Sequence, residues 1–589
     1  MHMGGETLAA AIDALGSRRP NCGFTFQDTA GRERFVQFPE LRLRIMRRAQ
    51  ALQKAGVTAG DRVGMIVPDP EAFVITFLAA TRLGVVPVPI YPPAGLGGLD
   101  SYVERTGAVL RAAECRYLLT TRMLQLVVWP TVAAVPSLRE LLVLETLADG
   151  PADCEMPVVR PEDLVFLQYT SGSTATPKGV MVTHSTLAAN ARAIGAWGVR
   201  FERRDLVVNW LPLFHDMGLI GQTLTPLFWE VPVVFIPTSR YLRRPSEWLE
   251  AMHRHRGTIS FAPPFAYALA TKRTTPEQLK RWDLRHVKVL GCAAEPIAAN
   301  VTRRFAAMFA EHCGLPRAAL SPAYGLAEAT LAVTFTPPQT ELRTLTVAAE
   351  PFESRGKVVP AGVGDAALEH VCCGQTPPEH EVQITAADGE RLPEGQQGEI
   401  CVRGPSVMPG YFRAPEASAA VFRDGWLRTG DLGYLHGGCL YVTGRLKDLI
   451  IYNGRNIHPQ ALEWEVGEVS GVRKGNVVVF SRPGSETEAI VVLLESRSTN
   501  PELLRNAVTA RLQIAAGLTP AAVICLPPNT LPKTSSGKLQ RARARMLYAR
   551  GELHTAAAQR VGSWKVDHTL LSYAVRSAWS RLRTRMGIG

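Results

Sequence analysis

Tyr169-Thr-Ser-Gly-Ser-Thr-Ala-Thr-Pro-Lys-Gly179 is the stretch on which the reading of this chain turns. Apolar runs that read as strands flank it, at 164–169 and 180–183. Small residues around Gly172 let successive backbone N–H groups converge into an anion-binding nest. The hydroxyls of Thr170, Ser171, Ser173 and Thr174 add donors, and Lys178 adds positive charge. The GxxxxGK[ST] spacing of a Walker loop is absent, and a strand rather than a helix follows. A flexible polar loop is the plain alternative. So many Gly, Ser and Thr residues ending in Pro-Lys-Gly between strands predict a phosphate-binding loop instead.

Outward from this loop the chain alternates helix and strand. Pro39 suits the first turn of a helix; Leu41, Ile45, Ala49 and Leu52 recur at helical spacing, and Gly56 marks its end. Strands are predicted at 62–67, 85–90, 117–120 and 164–169, with a helix over 73–83. The prolines in 85–90 place that strand at a sheet end. This alternation predicts an α/β fold built on a parallel sheet covered on both faces. Beyond residue 382 the texture changes to short strands with Gly-rich turns, at 399–403, 426–428 and 439–442. A compact α+β segment follows over 448–548.

Four more motifs follow in order: Tyr324-Gly-Leu-Ala-Glu328, Trp426-Leu-Arg-Thr-Gly-Asp431, Gly444-Arg-Leu-Lys-Asp448 and Leu531-Pro-Lys-Thr-Ser-Ser-Gly-Lys538. With the phosphate loop, they make the chain resemble the acyl-adenylate-forming superfamily of acyl-CoA synthetases, luciferases and peptide-synthetase adenylation domains. The resemblance runs from about residue 61 to residue 541. It implies a large N-terminal adenylation domain (1–446) with parallel-sheet αβ layers, and a smaller, mobile α+β C-terminal domain (447–548). A basic helical tail (549–589) completes the chain. ATP and magnesium are the implied cofactors. Tyr324 and Gly325 would lie at the adenine, Asp431 would accept bonds from the ribose hydroxyls, and Arg445 would stand near the nucleotide. Glu328, with Thr174, would hold magnesium. Lys447 would be the hinge, and Lys538 would bridge the substrate carboxylate and the α-phosphate. The segment Ala293-Ala294-Glu295-Pro296 stands where the family commonly has Gly-Ala-Glu-Pro, so a methyl is added beside the purine.

Three features resemble the fatty acyl-AMP ligases within that superfamily. Asn209-Trp-Leu-Pro-Leu-Phe-His-Asp-Met-Gly-Leu-Ile-Gly221 matches their motif near the acyl tunnel, with His215 as a gate to the pantetheine channel. Gly454-Arg-Asn-Ile-His-Pro459 follows the hinge. The long gap over 337–369 stands where those ligases carry an insertion that bars free CoA. The implied acceptor is a separate acyl carrier protein or a synthetase loading module, since the tail lacks a phosphopantetheine attachment site. An acyl-CoA synthetase, and an inactive protein that only binds ATP or acyl-adenylate, remain open as rivals.

Composition narrows the partners. The chain has 589 residues, more than one hydrophobic core organises, and its net charge is +12. No zinc-finger or RNA-binding signature accompanies that charge, so anionic substrates account for it better than nucleic acid. Ten dispersed cysteines fit a reducing cytoplasm. The N-terminus does not read as a signal peptide, and no apolar run reaches the ~20 residues a membrane span needs. In the tail, Leu571, Val575, Ala578, Trp579, Leu582 and Met586 form an apolar helical stripe. That stripe is suited to a peripheral membrane contact or to packing on the small domain.

Overall fold

The computed structural model describes residues 1–93, 99–148, 150–151, 155–170, 177–452, 455–483, 488–534 and 538–553. An eight-stranded sheet forms the largest layer. Its order is Ala332–Phe335, Leu320–Gly325, Val289–Cys292, Ile259–Ala262, Val207–Asn209, Val233–Phe235, Gly23–Gln27 and Glu33–Gln37. The six inner strands run parallel; each edge strand is antiparallel to its neighbour. A four-stranded parallel sheet holds Val86–Pro89, Arg62–Ile66, Tyr117–Thr120 and Glu140–Val143 in that order. Val86–Pro89 is an edge strand, where its two prolines forfeit no ladder bond.

Local chemistry sets the helices around these sheets. Phe38–Lys54 carries Pro39 in its first turn and buries Leu41, Ile45, Ala49 and Leu52, as the spacing predicts. The next helix starts earlier than predicted, at Pro70. The Asp69 side chain accepts a hydrogen bond from Ala72 N and caps it.

One expectation fails. Leu164–Thr170 does not join a parallel sheet but pairs antiparallel with Lys178–Thr183 as a separate two-stranded ribbon. An apolar run looks the same in either pairing, because periodicity reports burial and not strand direction.

An antiparallel sheet follows: Glu381–Thr385, Gly398–Arg403, Trp426–His436, Phe422–Arg423 and Cys439–Arg445. The strand beginning at Trp426 runs well beyond the predicted 426–428, with a bulge at Leu432/Gly433 that absorbs its glycines. Beyond Ile450 the chain makes its own cores around the sheet of Val472–Pro483, Glu488–Ser496 and Ala522–Leu526. Helices Pro459–Gly467, Pro501–Ala516 and Arg541–Ala549 accompany it. Among the described residues no helix is long and apolar enough to cross a membrane. The stripe from Leu571 to Met586, and the membrane contact expected of it, lie outside the described residues.

Candidate active site

The ribbon of Leu164–Thr170 and Lys178–Thr183 brings the residues flanking the phosphate-loop stretch together: Thr170 stands opposite Lys178 in the register. Ser171, Gly172, Ser173 and Thr174 lie outside the described residues, and so does the metal role expected of Thr174. Lys178 is described. Its ammonium lies 5.1 Å from the centroid of the Tyr411 ring, a cation–π contact.

Glu328 sits in a short 3₁₀ turn, Ala327–Ala329, directly after the strand carrying Tyr324 and Gly325. A side chain at 325 cannot be accommodated, because a Cβ there would stand 1.9 Å from Leu331 O. The turn is held firmly. Asn190 Nδ2 donates to Ala332 O and its Oδ1 accepts from Ala332 N, at 2.9 and 3.1 Å. Thr330 Oγ1 donates to Ser406 O at 2.7 Å, which offsets the left-handed backbone of Thr330. Tyr411 Oη donates to Glu328 Oε1 at 2.8 Å. A lone carboxylate that shares the ion with phosphate oxygens is the usual protein contribution to a magnesium site. Glu328, with one oxygen engaged by Tyr411, fits that role. No group of three or more acidic, His or Cys ligands occurs among the described residues.

Tyr324, Asp431 and Arg445 come together. Tyr324 Oη donates to Asp431 Oδ2 at 2.8 Å, and Arg445 Nε lies 3.2 Å from Asp431 Oδ1. Strand pairing produces this contact, because Asp431 and Arg445 are register partners. Burial pushes the Asp431 carboxyl up, while the Arg445 charge opposes the shift. Burial also pushes the Tyr324 phenol well above its ordinary value, so it stays a donor.

Lys538 reaches into this region from the far side. Its Nζ donates to Ala294 O at 2.7 Å. Ala294 takes a left-handed φ of 77°, which turns that carbonyl toward the lysine. The departure from Gly-Ala-Glu-Pro is at Ala293, which has no left-handed backbone and whose methyl is absorbed as a partly buried contact of the core. Burial raises the neighbouring Glu295 carboxyl, and Lys538 and Lys533 pull it back. His215 is also close to Lys538; burial, aided by the Lys538 charge, lowers the imidazole to about 3. It is therefore neutral at physiological pH. His215 precedes a π-helical stretch, Met217–Leu224, a conformation common at functional sites.

Lys447 lies between two anchored neighbours. Arg445 is tied to Asp431, whereas Asp448 pairs with Arg541 at 2.5 Å, and Arg541 also holds Glu463 of the helix Pro459–Gly467. Residues on either side of 446–447 are thus tied to different partners.

The segment 337–369 is a packed element. Thr344–Ala348 pairs antiparallel with Ala367–Val371, and the helix Ala349–Arg355 follows the first strand. Val347 and Phe352 bury against Tyr434 and Tyr441. Glu353 is 7% exposed and takes two hydrogen bonds from Arg455, at 2.8 and 2.6 Å. Arg455 belongs to the Gly-Arg-Asn stretch singled out in the sequence; Gly454 itself lies outside the described residues.

Sequence reading overlooked Tyr411 and Asn190. A tyrosine after a glycine carries no periodic or spacing signal. Its partners, Glu328 and Lys178, are 83 and 233 residues away.

Residues 19–412 match the family model of AMP-binding enzymes. A protein of Caulobacter vibrioides described as a putative acyl-CoA synthetase is 37% identical over 85% of this chain and 88% of its own length. TtuA of Teredinibacter turnerae, a medium-chain-fatty-acid–[acyl-carrier-protein] ligase, is 32% identical over 82% of this chain and 84% of its own. A solved structure from work on fatty acyl-adenylate ligases of E. coli and L. pneumophila superposes with a TM-score of 0.87. It is 36% identical and covers 92% of this chain and 98% of its own. With the five motifs in place, these likenesses assign the chain to the AMP-binding enzymes and, within them, to the fatty acyl-AMP ligases.

Proposed function

We propose that the chain uses ATP to convert a fatty acid into acyl-AMP and pyrophosphate. It then passes the acyl group to the phosphopantetheine thiol of a carrier protein. The observation that carries this reading is Lys538 Nζ held at Ala294 O, beside Glu295 and His215 and with the Tyr324–Asp431–Arg445 group already assembled. A carboxylate oxygen of the acid forms a bond to the α-phosphorus, and the bond from that phosphorus to the bridging oxygen breaks, releasing pyrophosphate. The nucleophile is already an anion, so no general base is required. The barrier lies in bringing two anions together in line. Lys178 and Lys538 neutralise and orient that charge. Glu328 would hold magnesium, which would supply further neutralisation of the phosphates.

His215 suits a gate between the acyl tunnel and the thiol's path, because its neutral ring adds no charge to an apolar channel. We place the hinge at Lys447. The Glu353–Arg455 pair ties the segment 337–369 to the chain beyond that hinge, which favours a carrier over free CoA as acceptor. TtuA, whose description names a carrier protein, supports the same choice. The described cysteines are all free, which suits the cytoplasm. Incubation with ATP and acids of graded length, read by mass for acyl-AMP, tests the first half-reaction. Adding CoA or a phosphopantetheinylated carrier tests the second. CoA thioester formed as fast as acyl-AMP would establish the synthetase reading, which the description of the Caulobacter protein favours. Absence of pyrophosphate exchange with every acid would leave only a binding protein.

A further inference from the structure

We propose that Tyr411 is a positioning residue of the adenylation site: its hydroxyl orients Glu328 for the metal, and its ring face orients the Lys178 ammonium for the phosphates. This rests on the roles given above to Glu328 and Lys178. Those two charges come from elements remote in sequence, and no ion pair joins them to each other. A direct pair would neutralise both groups and spend the oxygen and the N–H donors that a metal and a triphosphate require. Tyr411 occupies both without that loss. Its hydroxyl engages only Oε1 of Glu328; Oε2 carries no hydrogen bond among the described residues. Its ring attracts the ammonium through the π face, a contact that brings no competing acceptor oxygen to the ammonium.

The backbone around Tyr411 is fixed to both partners. Met408 N donates to Glu328 O at 2.9 Å, and Phe412 N donates to Gly179 O at 2.8 Å, one residue beyond Lys178. Met181 N donates to Gly410 O at 3.2 Å. Gly410 has a φ of +153°, and a Cβ there would meet Ser418 Oγ at 2.9 Å. The same Ser418 Oγ accepts from Tyr411 N at 2.8 Å and donates to Ala414 O at 2.8 Å. Tyr411 itself is 6% exposed. The segment 408–412 is therefore a strut from the turn of Glu328 to the strand of Lys178, and Tyr411 carries side-chain contacts to both.

Binding without turnover separates the two functions of the side chain. Manganese affinity is measured from the free-ion paramagnetic resonance signal in the presence of α,β-methylene ATP. Metal-free affinity for that analogue is measured by calorimetry in chelator. Tyr411→Phe keeps the ring and should weaken manganese binding about tenfold, the loss of one hydrogen bond to a charged group. Its metal-free nucleotide affinity should stay within about twofold, because the cation–π contact survives. Tyr411→Leu should weaken both, the second by about fivefold. Glu328→Gln is the reference. If Glu328→Gln lowers manganese affinity and Tyr411→Phe does not, the hydroxyl has no positioning role. If Glu328→Gln also binds manganese as the parent does, the metal reading of Glu328 falls and takes the hydroxyl's role with it. Unchanged metal-free affinity in Tyr411→Leu overturns the role of the ring.

Discussion

Lys538 is the residue whose chemistry is most exposed to test. It lies 244 residues beyond Ala294 in the chain and reaches Ala294 O, so its charge enters the site only while that long-range contact is held. Lys538→Ala should lower the rate of acyl-AMP formation roughly 10²–10³-fold, or about 2.7–4 kcal/mol. Thermal stability should be nearly unchanged, since the lysine is only partly buried and its ammonium bonds a carbonyl, Ala294 O. Pyrophosphate release near the parent rate from a folded variant would remove the role. The aspartate of the ribose motif shows how residue types mislead when taken alone. Asp431 reads as a free acceptor in the sequence, yet in the fold Tyr324 and Arg445 each occupy one of its oxygens. A carboxylate has about four acceptor directions, so ribose hydroxyls can still be accommodated, on a group already oriented.

At the scale of elements, the segment 337–369 changes most between sequence and structure. By position it reads as an insertion that bars free CoA, a stretch that could be cut out to admit that acceptor. In the fold Val347 and Phe352 fill a small core with Tyr434 and Tyr441, so deletion would strip the covering from the antiparallel sheet. The informative lesion is the link it makes. Arg455→Met combined with Glu353→Gln removes the ion pair without leaving either charge buried alone, which is the costly way to break such a pair. Adenylation should persist while CoA thioester rises from a trace to a measurable rate. A folded, adenylating double variant that still rejects CoA would place the barrier elsewhere. The phosphate-loop ribbon was only partly legible. Both strands were readable from their apolar runs, but their antiparallel pairing was not, because a run of buried residues carries no direction.

Across the whole molecule, buried neutral histidines make stability sensitive to acid. Burial lowers His184 and His458 to about 4, and His215 and His370 to about 3, each below the ordinary 6.5. Between those values the unfolded chain takes up protons that the folded chain refuses. The stability they contribute is therefore complete above pH 6.5 and is lost as pH falls toward 4, by up to about 1.4 kcal/mol per histidine per pH unit. Carboxyls pushed up by burial, Glu353 and Glu463 among them, work in the opposite sense, so one histidine must be isolated. His458 shares a hydrogen bond with Gln397 beside Phe352, and glutamine can replace its bond to that amide. His458→Gln should melt less steeply with falling pH than the parent between pH 7 and 5. Parallel curves would mean that His458 is not held neutral by its burial.

The sequence by itself determined the class of chemistry. The five motifs, the α/β alternation and the positions of Lys178, Glu328, Tyr324, Asp431 and Lys538 were readable, because backbone requirements and charge type are written locally. The left-handed Ala294, the strut at Tyr411, the Asp431–Arg445 register pair and the Glu353–Arg455 link were decided only by tertiary structure. Each depends on groups separated by up to a few hundred residues, and a distance across a fold has no local signature in the chain that makes it.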